Sequence, residues 1–211
     1  MSILVEIGEA LEKGKRKLVV QYVQQALDEG IAPQTILSEG LLPGMDRVGV
    51  KFRNNEIFVP EVLVAARAMG AGSELLKQHL ADGEATTLGT AVIGTVKGDL
   101  HDIGKNLVKM MIEGKGITVI DVGVDVEPEA FVKAAIENNA QLICCSSLLT
   151  TTMPAMGDVV KAAEAAGIRG NVKIMVGGAP VTQEFADSIG ADCYTADAAS
   201  AAMAAAEFLK A

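Results

Sequence analysis

The run AVIGTVKGDLHDIGKNLVKMMIEGKGITVIDV (91–122) decides the fold. It opens on a continuous apolar stretch (91–96), passes through an amphipathic one near 102–114 and returns to an apolar stretch at 117–122. Strands that are apolar on both faces belong in parallel sheets, because the crossover helices pack back over the strands they join. The alternation continues downstream. LICCSS (142–147), VKIMVG (172–177) and a weaker ADCYT (191–195) are strand-like, and helical stretches fall near 127–138, 153–166, 182–189 and 198–210. Pro128 suits the first turn of one helix, and Thr182 or Asp197 suits a cap. Five such units predict an α/β flavodoxin-like fold, a doubly wound five-stranded parallel sheet. Ligands of that fold bind beyond the carboxyl ends of the strands, at the topological switch point. The loops after residues 96, 122, 147 and 177 are therefore the ones to inspect.

Upstream the periodicity becomes purely helical. Ile3, Ile7 and Leu11 mark one apolar stripe, and Leu18, Val19, Tyr22, Val23, Ala26 and Leu27 mark a second. Gly30 ends that helix, and Pro33 suits the start of a third carrying Ile36 and Leu37. Pro43 opens a segment with Met45, Val48 and Phe52; Pro60 opens a longer one with Val62, Leu63, Ala66, Met69, Leu76 and Leu80. Short connections between such helices predict an N-terminal all-α helical bundle. The segment 81–87 has no apolar periodicity and reads as a linker. The expected layout is a helical domain at 1–81, a linker at 82–87 and the α/β domain at 88–211.

Bulk properties narrow the function. The 211 residues are 50% apolar and carry a net charge of −9. No run of Lys or Arg offers a basic face for phosphates, so nucleic acid is not an expected partner. Every apolar stretch is interrupted before it reaches bilayer length, and the first residues lack the pattern of a signal peptide. No membrane partner and a cytoplasmic location are expected. Cys144, Cys145 and Cys193 sit in strand-like segments without metal-ligand spacing and read as small buried thiols.

The first strand-end loop holds the residues with the most chemistry. Gly98, Asp99, His101, Asp102, Ile103 and Gly104 run from the strand into the next helix. A histidine there projects from the sheet edge, where its imidazole can coordinate a metal. A carboxylate two residues earlier can bond the other ring nitrogen, fixing the tautomer and raising ligand basicity. Gly104 leaves the helix start bare for a bulky group. A helix-capping loop with an incidental histidine is the plain alternative. The third loop, CCSSLLTTTM (144–153), is rich in hydroxyls, and the fourth, VGGAP (176–180), has paired glycines. The chain has two histidines; His79, late in the bundle, reads as a solvated or interhelical side chain.

Together these loops resemble the cobalamin-binding module, with its Asp-x-His-x-x-Gly, Ser-x-Leu and Gly-Gly signatures. They match as Asp99–His101–Gly104, Ser146–Leu148 and Gly177–Gly178, in that order, and the match spans the second half. The resemblance implies that the benzimidazole tail of a cobalamin or related corrinoid leaves cobalt for a channel beside the sheet. His101 then becomes the lower axial ligand of cobalt, with Asp99 behind it and the relay hydroxyl on Thr152. That hydroxyl is a serine in methionine synthase, so the relay is preserved in kind and altered in residue. Ser146 and Thr150 would bond near the buried tail, Leu148 would pack beside it, and Gly177, Gly178 and Ala179 would line the channel.

The stretch 41–69 resembles the helical cap that precedes the cobalamin domain in methionine synthase, where it covers the reactive face of the corrin. Met45, Val48, Phe52, Phe58 and Val62 are the cap candidates, and each also fits ordinary bundle core. With both modules, the whole chain is similar to the small corrinoid proteins of methylamine, methanol, betaine or aryl-methyl-ether methyltransferase systems. The function so implied is that of a methyl carrier. A substrate-specific methyltransferase loads cobalt(I), and a second methyltransferase takes the methyl from methyl-cobalt(III) to a thiol or folate-type acceptor. A reductive activase is a further expected partner. The cap swings aside at each transfer, with the linker as its hinge. Such a subunit is not catalytic alone. A cobalamin-dependent sensor is the alternative from another class, but no DNA-binding or signalling module is visible. The cofactor subunit of an adenosylcobalamin mutase would lack the cap. A cofactor-free response-regulator-like domain would want an aspartate where Ser146 and Ser147 stand.

Overall fold

A computed structural model describes residues 2–77, 79 and 87–210. The chain divides into two compact units, residues 1–86 with 113–116 and residues 87–112 with 117–211. Leu80 and residues 82–86 of the expected linker lie outside the described residues. Thr87, expected as the linker's last residue, falls in the second compact unit, just ahead of the sheet. Its hydroxyl donates to the Gly89 carbonyl at 2.6 Å and accepts the Thr118 N–H at 3.0 Å.

The first unit is helical: α1 (Ile3–Glu12), α2 (Arg16–Asp28), a single turn α3 (Pro33–Thr35), α4 (Leu42–Arg53) and α5 (Val59–Lys77). Between α3 and α4 the chain widens into a π-helical segment, Ile36–Leu41. The widening lies just ahead of Pro43, which has no N–H to donate and whose ring would press on the carbonyl four residues back in a regular helix. The apolar stripes are buried as the periodicity requires. Ile7, Leu11, Val19, Val23, Leu41, Val48 and Val62 are inaccessible to solvent. Glu12 of α1 takes an ion pair from Lys51 at 2.6 Å and another from Arg47 at 2.8 Å, both on α4. The hydrogen bond from Lys51 holds its carboxyl below the usual range.

The second unit is the five-stranded parallel sheet, in the order β2-β1-β3-β4-β5. The strands are β1 (Thr90–Val96), β2 (Thr118–Val126), β3 (Leu142–Ser146), β4 (Lys173–Gly177) and β5 (Cys193–Tyr194). Helices α6 (Ile103–Glu113), α7 (Pro128–Glu137), α8 (Pro154–Ala165), α9 (Gln183–Ser188) and α10 (Ala198–Phe208) connect or follow them. The strand order reverses beside β1, so the switch point lies between β1 and β3, where a ligand cleft is expected. Pro128 occupies the first turn of α7. Both cap residues serve: Thr182 accepts from the Phe185 N–H and Asp197 from the Ser200 N–H. Phe131 of α7 is fully buried in the core, and Gly94 of β1 leaves room for its ring.

Strand β2 departs from expectation. It runs on to Val126 rather than stopping near 122, because it absorbs two extra residues against β1. Ile93 and Gly94 face Asp121 and Gly123, while Gly94 and Val96 face Gly123 and Val126. Each mismatch is a bulge, which bends and twists the edge strand beside the first loop. Cys144 and Cys145 are buried and Cys193 is partly so. Burial pushes the Cys144 thiol up to about 12, which leaves it an inert core residue. Among the described residues no helix is long and apolar enough to cross a membrane.

Candidate functional site

The loop after β1 turns at Gly98 (φ 82°), a left-handed conformation that a side chain would strain, and then carries Asp99 inward and His101 outward. The Asp99 side chain is fully buried, whereas that of His101 is 52% exposed. One carboxylate oxygen of Asp99 serves its own loop. Oδ1 accepts the His101 N–H at 3.0 Å and pairs with the His101 Nδ1 at 2.7 Å. The other serves the loop after β3. Oδ2 accepts the Leu148 N–H at 2.7 Å, the Leu149 N–H at 3.3 Å and the Thr152 hydroxyl at 2.9 Å. Asp99 thus ties together the loops on either side of the switch point. Thr95, at the end of β1, secures the far side by donating to the His101 carbonyl at 2.8 Å.

Charge on Asp99 follows from these partners. Burial pushes its carboxyl up, but the Leu148 and His101 N–H groups, the His101 ring and the Thr152 hydroxyl outweigh it and hold the group far below the usual carboxylate range. An ionised carboxylate can only accept, so the proton shared with His101 resides on Nδ1. In the neutral imidazole Nε2 then bears the free lone pair. That is the ring state a metal ion requires. Apolar side chains stand exposed on the same loops: Leu100 (71%), Ile103 (82%), Leu148 (43%) and Leu149 (41%). All four stand at the carboxyl edge of the sheet, where ligands of this fold class bind. A Cβ on Gly104 would meet nothing within 4 Å, so the helix start beside them is open.

Behind Asp99 two hydroxyls share one environment. Ser147 Oγ lies 2.7 Å from Thr152 Oγ1, and both are buried. Each hydroxyl has one proton. With the Thr152 proton on Asp99, the Ser147 proton can go to Thr152, to the Leu149 carbonyl at 3.1 Å or to the Asp99 Oδ2 at 3.4 Å. Ser147 was not singled out from sequence. Ser146, expected beside the nucleotide tail, sits half-buried at the end of β3, opposite Thr95 and Gly177. Successive strand residues point to opposite faces, so only one of two adjacent serines can reach Asp99.

The remaining expected residues are distributed as follows. Asp102 accepts from the Asn106 amide at 3.1 Å. Thr150 and Ala179 are exposed on the loops after β3 and β4. Gly178 (φ 136°) has a reason internal to the protein: a Cβ there would fall 1.8 Å from the Ser147 carbonyl oxygen. Its bareness lets the β4 loop close against the β3 loop, and the Ser147 N–H donates to the Gly177 carbonyl at 3.2 Å. In the helical unit Met45, Val48 and Val62 are buried, Phe52 is half-buried and Phe58 is 65% exposed. Phe58 therefore departs from the core reading that the other three satisfy. His79 is exposed, its Nδ1 3.0 Å from the Leu75 carbonyl.

A charged pair that sequence reading missed lies beside the loop. Lys105 of α6 is 4% exposed and reaches both oxygens of Asp121 on β2, at 2.6 and 2.7 Å. Asp121 also accepts the Gly123 N–H at 3.0 Å across the first bulge. Burial raises its carboxyl, and Lys105 with Gly123 lowers it further than that, to below the usual range. The signal was present: an aspartate within the apolar run ITVIDV demands a partner.

Comparison with known proteins gives these features a common setting. Two family models, each described as a B12 binding domain, match residues 89–207 and 3–77. This chain belongs to the B12-binding family. Among its relatives, the dimethylamine corrinoid protein 1 of Methanosarcina acetivorans is 44% identical over 98% of this chain and 97% of its own. The trimethylamine corrinoid protein 1 of Methanosarcina mazei is 42% identical over 91% of this chain and 90% of its own. Among solved structures, the methanol:cobalamin methyltransferase complex MtaBC of Methanosarcina barkeri aligns with a TM-score of 0.88. It is 30% identical, covering 99% of this chain and 80% of that one. The B12-binding protein described here is thus a small corrinoid protein of the methyltransferase-system type, and its cofactor is a corrinoid. The donor set fits that group: an imidazole with Nε2 free, a carboxylate oriented behind it, an apolar exposed rim and an unobstructed helix start.

Proposed function

We propose that this corrinoid protein carries methyl groups from a substrate-specific methyltransferase to a second methyltransferase that serves a thiol or folate-type acceptor. The observation that carries the reading is the state of His101. Its Nδ1 is committed to the ionised Asp99, which leaves Nε2 of the half-exposed ring as the nitrogen available to a metal. The bound corrinoid would supply the cobalt centre on which a methyl group is held; the protein supplies binding, orientation and proton control.

In this reading His101 would hold the corrinoid's cobalt through Nε2, with Asp99 keeping its ring in one tautomer. Asp99 would accept from the Nδ1 of that ring whether or not Nε2 holds the metal. Thr152 and Ser147 behind Asp99 adjust by turning their hydroxyls. Leu100, Ile103 and Leu148 offer the apolar surface for the macrocycle. Ser146, Thr150, Gly177, Gly178 and Ala179 flank the route expected for the nucleotide tail, and Gly98 and Gly104 let the loop and helix start come close. Phe58, exposed at the head of α5, is the cap candidate free to meet a ligand, with Phe52 second. The amine names of the relatives favour a methylamine as donor class. The MtaBC complex supports a methyltransferase as direct partner, and a reductive activase completes the set.

The test is an absorbance spectrum of the protein reconstituted with hydroxocobalamin, wild type beside His101→Ala, after removal of free cofactor. Wild type should retain one corrinoid per chain, and the variant's spectrum should shift to that of a corrinoid without histidine ligation. Identical spectra from both proteins would overturn the ligand assignment. Failure of folded wild type to retain any corrinoid would overturn the carrier reading.

A further inference from the structure

Strand β2, at the sheet edge, contributes nothing to the Asp-x-His-x-x-Gly motif, yet its second bulge meets that loop directly. We infer that Asp125, the bulge residue, is a positioning residue for His101: it clamps the loop from the side opposite the Ser147–Thr152 hydroxyls. The inference rests on the reading of His101 as a metal ligand and adds the residue that fixes where its backbone begins.

Two hydrogen bonds form the clamp. The Gly98 N–H donates to the Asp125 Oδ1 at 2.7 Å, and the Asp125 N–H donates to the Asp99 carbonyl at 2.9 Å. Both residues are left-handed, Gly98 at φ 82° and Asp125 at φ 54°. A non-glycine residue is seldom found there, and Asp and Asn are among the few that tolerate it. The conformation follows from the strand register. Between the Gly94/Gly123 and Val96/Val126 pairs, β1 spends one residue and β2 spends two, Val124 and Asp125. The additional residue rotates the Asp125 amide and carboxylate toward the neighbouring loop, which is a recurrent use of bulges beside functional sites.

The clamp divides the work around Asp99. Its side chain is held by the β3 loop, and its carbonyl by Asp125 on β2. With both ends of the residue fixed, the imidazole two positions on has little freedom to depart from the sheet edge. Neither half of this division appears in local sequence, because residues 98 and 125 meet only after β1 and β2 pair.

Three variants separate the backbone role from the carboxylate role. Asp125→Asn keeps an acceptor and tolerates the left-handed conformation. Asp125→Gly keeps the conformation and the N–H but loses the acceptor. Asp125→Ala loses the acceptor and strains the conformation. Two readouts apply to the full chain. One is amide hydrogen exchange at Gly98 without cofactor. The other is the nitrogen splitting of the cobalt(II) signal, in electron paramagnetic resonance, after reconstitution with hydroxocobalamin and reduction.

Loss of one hydrogen bond to a carboxylate should speed Gly98 exchange about fivefold in the Gly variant, and more in the Ala variant. The histidine-ligated fraction should fall in the same order, Asn near wild type, then Gly, then Ala. Equal exchange at Gly98 in wild type and Ala variants would overturn the clamp. So would a histidine-ligated fraction that stays constant while exchange rises, because the loop would then loosen without moving the ligand. The exchange readout needs no cofactor, and His101→Ala reports separately on ligation. Failure of the clamp is therefore distinguishable from failure of the ligand assignment.

Discussion

The two units bury different things. Among the described residues the helical unit encloses apolar side chains, and its charges, such as Glu12 with Lys51 and Arg47, lie at partly exposed positions. The α/β unit holds all five buried polar or charged residues among those described: Thr95, Asp99, Lys105, Ser147 and Thr152. They gather at the carboxyl edge of the sheet, next to or within the loops that present His101. Burying polar groups is unfavourable unless each finds partners, and no described buried side-chain nitrogen or oxygen lacks one. A fold that needed only stability could fill such positions with apolar residues. The contrast teaches that polar burial here is reserved for the site, while the bundle is stabilised by apolar packing.

The strongest way to break this contrast is at Asp99. Asp99→Ala removes the shared acceptor of the Leu148 and His101 N–H groups and the Thr152 hydroxyl, which should cost about 3 kcal/mol in urea unfolding of the apo-protein. A loss below about 1 kcal/mol would mean that solvent readily replaces the carboxylate, and that the network is not a buried one.

A second, smaller effect tests the charged pair by pH. The Asp121 carboxyl is raised by burial but more strongly lowered by Lys105 and Gly123, so its folded value lies below its unfolded one. Its contribution is then present above about pH 4 and is lost as the pH falls through the folded value. Asp121→Asn should destabilise the protein at neutral pH by about 2 kcal/mol, since Lys105 keeps its burial and loses its counter-charge. The gap between variant and wild type should narrow below about pH 4, as followed by thermal melts in acid. A gap independent of pH would assign the effect to packing instead.

The smallest effect is expected in the helical unit. Phe58 is 65% exposed, so Phe58→Ala should change folding stability by less than about 0.5 kcal/mol. The same variant should weaken retention of a methylated corrinoid if the ring serves as cap. A large stability loss would show that Phe58 is packed as core and remove it from the candidates.

Much of this was legible in the chain. The strand and helix alternation, the capping roles of Thr182 and Asp197 and the start of α7 at Pro128 followed from local rules of periodicity and backbone preference. Those rules act over a few residues and need no knowledge of neighbours. The Asp99–His101 hydrogen bond, spanning two residues, was equally local. The π-helical segment before Pro43 was less so, because a proline after a helical run permits a break, a kink or a widening, and packing selects among them.

By itself, the amino-acid sequence determined the two kinds of unit, the loops at the carboxyl edge of the sheet and the histidine presented there. Only the tertiary structure decided that Ser147 joins Thr152 behind Asp99, that Lys105 finds Asp121, and that Asp125 grips Gly98. The reason is physical. Each of these depends on strand register, and a shift of one residue reverses the face to which a side chain points. Register is set by the packing of whole strands and by the two bulges of β2, which no short stretch of sequence encodes.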